Sequence, residues 1–318
     1  TTPCTSTAEL REELFERIRA AVDRGEELGK QLVPLATPLN HEAIREIPCD
    51  RTRIQNEVVG EAFQYVRHCA GTHIHIEQQP GRAIDQLNTL IALDPALALV
   101  NSARHFRGEE LAAGARSKCY RWLAYDGLQA QGELWPYVDD REDWNRRLRG
   151  CYDRFRGQAL DAGIAEATFE RCFDPESAVW TPVQLRSEFG TVEWRSPDTT
   201  LPSRTVQLAD TLATVAGELG DTTVEIGGDT GRIGDNRIVL PSFETVTDYV
   251  EEAIDEGLTP SLRAYLTRMG FSPGSYEPIA ETIDHAERID HETARKRRIE
   301  FADRLREDVQ PAPPLAAD

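Results

Sequence analysis

Lysine is almost missing from this chain: three of its 318 residues are lysine (Lys30, Lys118 and Lys296), and only one is methionine. Arginine supplies the rest of the positive charge and is outweighed. Lys and Arg total 36 against 55 Asp and Glu, a formal net charge of −19. Such a surface repels phosphate backbones and anionic headgroups, so neither nucleic acid nor a membrane surface is an expected partner. An acidic, lysine-poor surface stays hydrated in concentrated salt, where screening removes most of the self-repulsion. The composition therefore reads as that of a cytoplasmic protein from a salt-loving cell. The six cysteines (Cys4, Cys49, Cys69, Cys119, Cys151 and Cys172) include no CxxC pair. That spacing argues against a zinc site or a small disulfide scaffold and for free thiols in a reducing compartment. No apolar run reaches the ~20 residues that cross a bilayer, and no signal-peptide pattern precedes the first helix. GxSxG and HExxH motifs are absent as well. The glycine-rich GGDTGRIG from Gly227 has no Walker lysine, and no helix opens from its last glycine. It reads as a turn between two short strands.

What the chain does have is the stretch 70–78, AGTHIHIEQ. In an extended strand alternate side chains face opposite ways, so His73, His75 and Glu77 share one face and Thr72, Ile74 and Ile76 the other. A second stretch, 190–198 (GTVEWRSPD), puts Glu193 and Arg195 on one face and Val192 and Trp194 on the other. Two such strands presenting His, His, Glu, Glu and Arg to one surface point to a site for a divalent cation and an anion. Arg51, Arg53, Arg116 and Arg186 are further candidates for the anion. Each feature also has a plain structural explanation: a strand histidine pair, a cross-strand ion pair, a solvated arginine.

Taken in order, Ser6 followed by Glu9 is a capping box opening an amphipathic helix with Leu10, Leu14, Ile18 and Ala21 inward. Residues 31–38 read as a short strand, 51–60 as a helix, and 63–78 as the strand carrying the histidines. Pro80-Gly81 breaks it, a buried helix follows, and Asp94-Pro95 starts another. A charged helix covers 143–160. Segments 178–186 and 190–198 form a hairpin, and 203–219 is a helix. Short strands at 224–226 and 237–240 flank the glycine-rich turn, and helices fill 243–308. His285 and His291 fall on a charged helix surface. His41, His68 and His105 have no evident partner. Residues 1–310 read as one α+β domain with a largely antiparallel sheet, and the proline- and alanine-rich 311–318 as a disordered tail.

The order CAGTHIHIEQ, IDQLNTLIALDPALALVNSA, ARSKCYRW and VWTPVQLRSEFGTVEWRSPDT resembles the carboxylate–amine ligase family that includes glutamate–cysteine ligases, most of all those of the haloarchaeal type. The resemblance implies a glutamine-synthetase-like fold, in which a curved, mainly antiparallel sheet forms a funnel with helices packed outside. It implies ATP and Mg²⁺ or Mn²⁺ as cofactors, and glutamate and cysteine as substrates. ATP would phosphorylate the γ-carboxylate, and the cysteine amine would attack the acyl phosphate to give γ-glutamylcysteine. Carried over by motif, His73 and His75 become metal ligands with Glu193, Glu77 ranks below them, and Arg195 and Arg186 become catalytic. Arg116 is assigned to substrate or nucleotide contact, and Arg51 and Arg53 join it as anion-binding candidates. Family members open with strands bearing further glutamates before a Thr-Pro turn. Thr2-Pro3 matches that turn, so the expectation is a longer native chain. A ligase using another amine, an inactive nucleotide- or glutamate-binding relative, and self-association into a homo-oligomer remain open.

Overall fold

The computed structural model describes residues 4–310 except 126, 129, 221, 235, 284 and 285. The expected tail at 311–318, the Thr2-Pro3 turn and His285 lie outside the described residues. Among the described residues the chain is α+β and mostly helical, with three small sheets, none of which curls or closes.

Helix α1 (Thr7–Glu27) starts where expected, with the Ser6 hydroxyl accepting from the Glu9 N–H at 3.1 Å. The Glu9 carboxylate accepts instead from the backbone N–H and hydroxyl of Thr5, so the capping box is displaced by one residue. Phe15 and Val22 form the buried stripe, while Ala21 is exposed. They pack with Val206 and Leu305 from two later helices and with Val309, which caps the second of them. Residues 31–38 run without a strand partner, since Pro34 and Pro38 have no N–H to give a ladder. Helix α2 (Asp50–Val59) ends at Gly60, whose φ of 70° suits a residue without Cβ. The expected long strand at 63–78 is mostly not one. A 3₁₀ turn (Gly60–Phe63) runs on into α3 (Gln64–Arg67), and strand β1 is only Ile74–Glu77.

The turn at Pro80-Gly81 leads into α4 (Ala83–Leu93), which continues as a 3₁₀ segment, Asp94–Val100. Contrary to the expectation from the sequence, residues 83–100 are long and apolar enough to cross a membrane by length and composition alone; most of the segment is buried. It is the centre of the main core, where Leu87, Ile91 and Leu97 meet Val192, Trp194 and Leu212. Gln86 ties this helix to β1, accepting from the Gln79 N–H and donating to the Glu77 carbonyl at 3.0 Å.

Strands β2 (His105–Phe106) and β3 (Glu109–Glu110) form a minimal pair before α5 (Ala115–Lys118), which passes into a π-helical segment, Cys119–Leu123. Helices α6 (Arg141–Asp161) and α7 (Glu166–Cys172) follow. Strands β4 (Val183–Arg186) and β5 (Thr191–Trp194) form the expected hairpin, and β1 adds on the far side of β5, all antiparallel in the order β1-β5-β4. Helix α8 (Pro202–Glu218) covers the apolar face.

The last sheet departs from expectation. Strands β6 (Thr223–Gly228) and β8 (Arg237–Pro241) are parallel, not a hairpin. The glycine-rich stretch supplies a third strand, β7 (Arg232–Gly234), antiparallel to β8. Helices α9 (Phe243–Asp255), α10 (Pro260–Arg268) and α11 (His291–Asp308) follow.

Candidate functional site

Register across the three-stranded sheet assembles the polar cluster. His75 of β1 lies opposite Glu193 of β5, and Glu193 lies opposite Gln184 of β4. Residues directly opposite in antiparallel strands share a face, so these three form one transverse row. The neighbouring row, Ile74, Trp194 and Val183, points the other way into the core. Burying that apolar row fixes the register, because a slip of one residue would exchange the faces.

Glu193 is the hub and only 2% exposed. One of its oxygens lies 2.7 Å from His73 Nδ1 and 3.4 Å from His75 Nε2. The other accepts from the Gln184 amide at 2.9 Å and from Arg186 Nη1 at 3.3 Å. Burial pushes this carboxyl up, but the imidazole bonds, the Arg195 charge and the Gln184 amide outweigh it and hold it well below the usual carboxylate range. Glu193 is therefore an anion. The His73 side chain is 39% exposed; partial loss of hydration, helped by the Arg195 charge, lowers its pKa despite the bond to Glu193. A neutral His73 that donates through Nδ1 keeps an Nε2 lone pair. His75 turns its Nδ1 to the Thr191 hydroxyl, 2.9 Å away, and its ring edge to Phe189.

The arginines divide. Arg186 is shared between Glu193 and Glu176, whose carboxylate lies 3.5 Å from its Nε. Arg195 lies just past β5, where its backbone N–H donates to Pro182 O. Its side chain is 17% exposed, and the nearest carboxylate oxygen is 3.9 Å away, on Glu193. Among the described residues its guanidinium has no hydrogen-bond partner. It is the cation of the cluster with capacity to spare.

Arg116, assigned by sequence to substrate or nucleotide, lies under the site. Its guanidinium donates to Ser196 O at 2.9 Å and to Arg195 O at 3.1 Å, and stands 3.8 Å from Asp198. It packs on Gly71, where a Cβ would fall 2.0 Å from Nη2. Arg51 donates to the Cys172 and Ser177 carbonyls, both at 2.6 Å, and stacks on Phe173. Arg53 is on the surface beside Asp50. Glu77 is exposed at the far end of β1, opposite Thr191. The structure thus gathers His73, His75, Glu193, Arg186 and Arg195, and places Arg51, Arg53, Arg116 and Glu77 outside that cluster.

Sequence reading missed Gln184, Glu176 and Phe189. Gln184 was within reach, since pairing 186 with 191 across the hairpin puts 184 opposite 193. Glu176 and Phe189 depend on loop paths that no periodicity reports. Beside Arg186 a cavity of about 390 Å³ is lined by Leu148, Arg149, Asp174, Glu176 and Glu188 among others.

A magnesium ion does not fit the cluster as arranged. Metal–ligand distances of about 2.0–2.2 Å set neighbouring donor atoms roughly 3 Å or more apart. His73 and Glu193 are instead in direct hydrogen-bond contact, and both Glu193 oxygens are engaged. The donor set also has two imidazoles and one carboxylate, whereas magnesium prefers oxygen. Among the described residues no three His, Cys, Asp or Glu side chains are grouped to hold a metal. The chain matches no protein-family model and no curated protein sequence.

Proposed function

We propose that this chain is a carboxylate–amine ligase that joins the γ-carboxylate of glutamate to the amine of cysteine at the expense of ATP. The observation that carries the reading is Arg195, a mostly buried guanidinium without a hydrogen-bond partner among the described residues, beside a carboxylate held ionised. Phosphoryl transfer relies on fixed positive charge aimed at phosphate oxygens more than on a nucleophilic side chain. Arg195 meets the transferring phosphoryl group, and Arg186, tethered by Glu176 and Glu193, holds a second oxygen.

The γ-carboxylate oxygen attacks the terminal phosphorus, the bond to the bridging oxygen breaks, and ADP leaves. The cysteine amine then attacks the acyl carbon and phosphate departs. Neutral His73 takes the proton that the amine loses. Glu193 fixes His73 and the two arginines in place. This reading takes the β1-β5-β4 sheet as part of a glutamine-synthetase-like funnel wall. Mg²⁺ or Mn²⁺ is assigned to the nucleotide's own phosphates, and no step here depends on it.

A second reading, a relative that binds nucleotide or glutamate without turnover, is favoured by one fact: Glu193 is already satisfied by its neighbours. ADP release in ~2–3 M KCl, a salt matched to the acidic surface, separates the two. Cysteine-dependent ADP release with glutamate, lowered ~10²-fold or more by Arg195→Ala, supports the ligase. ATP binding without release favours the second reading. Release with another amine but not cysteine keeps the chemistry and changes the acceptor.

A further inference from the structure

The cleft beside Arg186 holds charge that the described residues leave unused. Its walls come from helix α6, from the loop after α7 (residues 174–176) and from the turn between β4 and β5. At about 390 Å³ it lies toward the small end of the roughly 300–1,000 Å³ usual for small-molecule sites. Asn145 and Arg149 stand four residues apart on α6 and so share one face of that helix. Leu148, buried, adds an apolar surface, and the turn contributes Glu188. The remaining charged groups are engaged. Both Glu176 oxygens accept from the Ser187 N–H at 3.0 Å, and Asp174 accepts from the Glu176 and Ser177 N–H groups. Arg186 is shared between Glu176 and Glu193. By contrast, the side chains of Asn145, Arg149 and Glu188 make no hydrogen bond or ion pair among the described residues, with one another or with any other group. A guanidinium and a carboxylate that line one cavity without closing on each other leave room for a ligand that bridges them.

We propose that this cleft binds a free α-amino acid with a short, uncharged side chain, recognised by both of its charged ends. Arg149 takes the carboxylate, its forked N–H donors matching the two oxygens, and the Asn145 amide donates to the same group. Glu188 accepts from the ammonium. The short side chain rests on Leu148. Charge balance selects among amino acids. Asp174, Glu176 and Glu188 outnumber Arg149 and Arg186, three against two, so the cleft is net acidic and disfavours a second carboxylate. Inside a part-enclosed cavity that repulsion is screened less than on open surface. A neutral zwitterion suits the cleft better than glutamate does.

The test is equilibrium dialysis of the full chain against radiolabelled L-alanine and L-serine, with propionate, ethylamine and L-glutamate for comparison. Both amino acids should bind saturably, one per chain. Propionate lacks the ammonium and ethylamine the carboxylate, so each should bind ~10-fold more weakly or worse. Glutamate should also bind more weakly than alanine. Arg149→Met and Glu188→Gln should each weaken alanine binding ~10-fold or more. Arg146→Met, on the same helix but paired with Asp143, should change nothing. The proposal is overturned if neither amino acid binds, if propionate or ethylamine binds as well as alanine, or if glutamate binds more tightly. Alanine binding undiminished in both Arg149→Met and Glu188→Gln would overturn it as well. Both positions are exposed, and the ligand comparison on the unmutated chain decides even where a variant fails to fold. The assay contains no ATP, so its outcome is separate from that of the ligase reading.

Discussion

Gly71→Ala is the substitution that best tests how the site is supported. The added methyl would sit 2.0 Å from Arg116 Nη2, 2.3 Å from Cζ and 2.6 Å from Nε, so the guanidinium must move. Gly71 is not among the glycines with positive φ, so an alanine backbone is tolerated there. The cost is set by what Arg116 gives up: its bonds to the Ser196 and Arg195 carbonyls and its place 3.8 Å from Asp198. A hydrogen bond to a charged group contributes about 1.5–3 kcal/mol. Loss of one or both, partly recovered as the guanidinium turns toward water, gives roughly 2–4 kcal/mol of destabilisation. Urea denaturation at fixed m measures it. The mechanism demands more than a number, because the damage must pass through Arg116. In an Arg116→Ala background the same Gly71→Ala change should cost less than about 1 kcal/mol, giving a coupling above about 1 kcal/mol in the double-mutant cycle. Equal costs in the two backgrounds would refute the reasoning.

Two further predictions concern buried charge. Burial pushes the Asp198 carboxyl up to about 6 from 3.8, against the pull of Arg116 and two bonds from Ser102. The folded chain thus holds this proton more tightly than the unfolded chain. The associated stability is fully present below 3.8 and is lost as pH rises through about 6. A difference of 2.2 pH units (6 minus 3.8) corresponds to ~3 kcal/mol. Asp198→Asn should flatten that decline in urea titrations across this range, and an unchanged slope would count against it. Glu193 acts with the opposite sign: its contribution is present above its ordinary value of 4.5 and is lost as pH falls toward its depressed folded value. The two sequence-assigned arginines of α2 should differ sharply. Arg51→Ala removes two carbonyl bonds and a stacked ring, for a loss of roughly 2–4 kcal/mol. Arg53→Ala removes a surface pair at 3.4 Å and should stay within about 0.5 kcal/mol. Thermal melts of the pair check this, and equal shifts would contradict the assignment.

Helices and the hairpin were legible because their signals are local. A cap such as Ser6 and the period of residues 203–219 act within a few positions, and turn geometry sets the hairpin register. The alternation THIHIE and TVEW already placed His75 and Glu193 on polar faces. Their meeting on one face required that β1 pair with β5 more than a hundred residues away, a pairing set by burial of Ile74, Trp194 and Val183. The limits were local conflicts. The segment before β1 became helix because a 3₁₀ turn carried α2 onward, and β6 paired with β8 in parallel because β7 took the antiparallel edge.

Arginine roles were the least legible feature. An arginine's sequence neighbours say little about where a long side chain ends. Arg116 ends on backbone carbonyls, Arg51 on two more, and Arg195 beside Glu193 with no hydrogen-bond partner among the described residues. Residue types, alternation and charge excess were thus fixed by the sequence itself, because each is a property of one position and its near neighbours. Which carboxylate is ionised and which arginine keeps free capacity were decided only by tertiary structure, because each depends on burial and on partners far away in the chain.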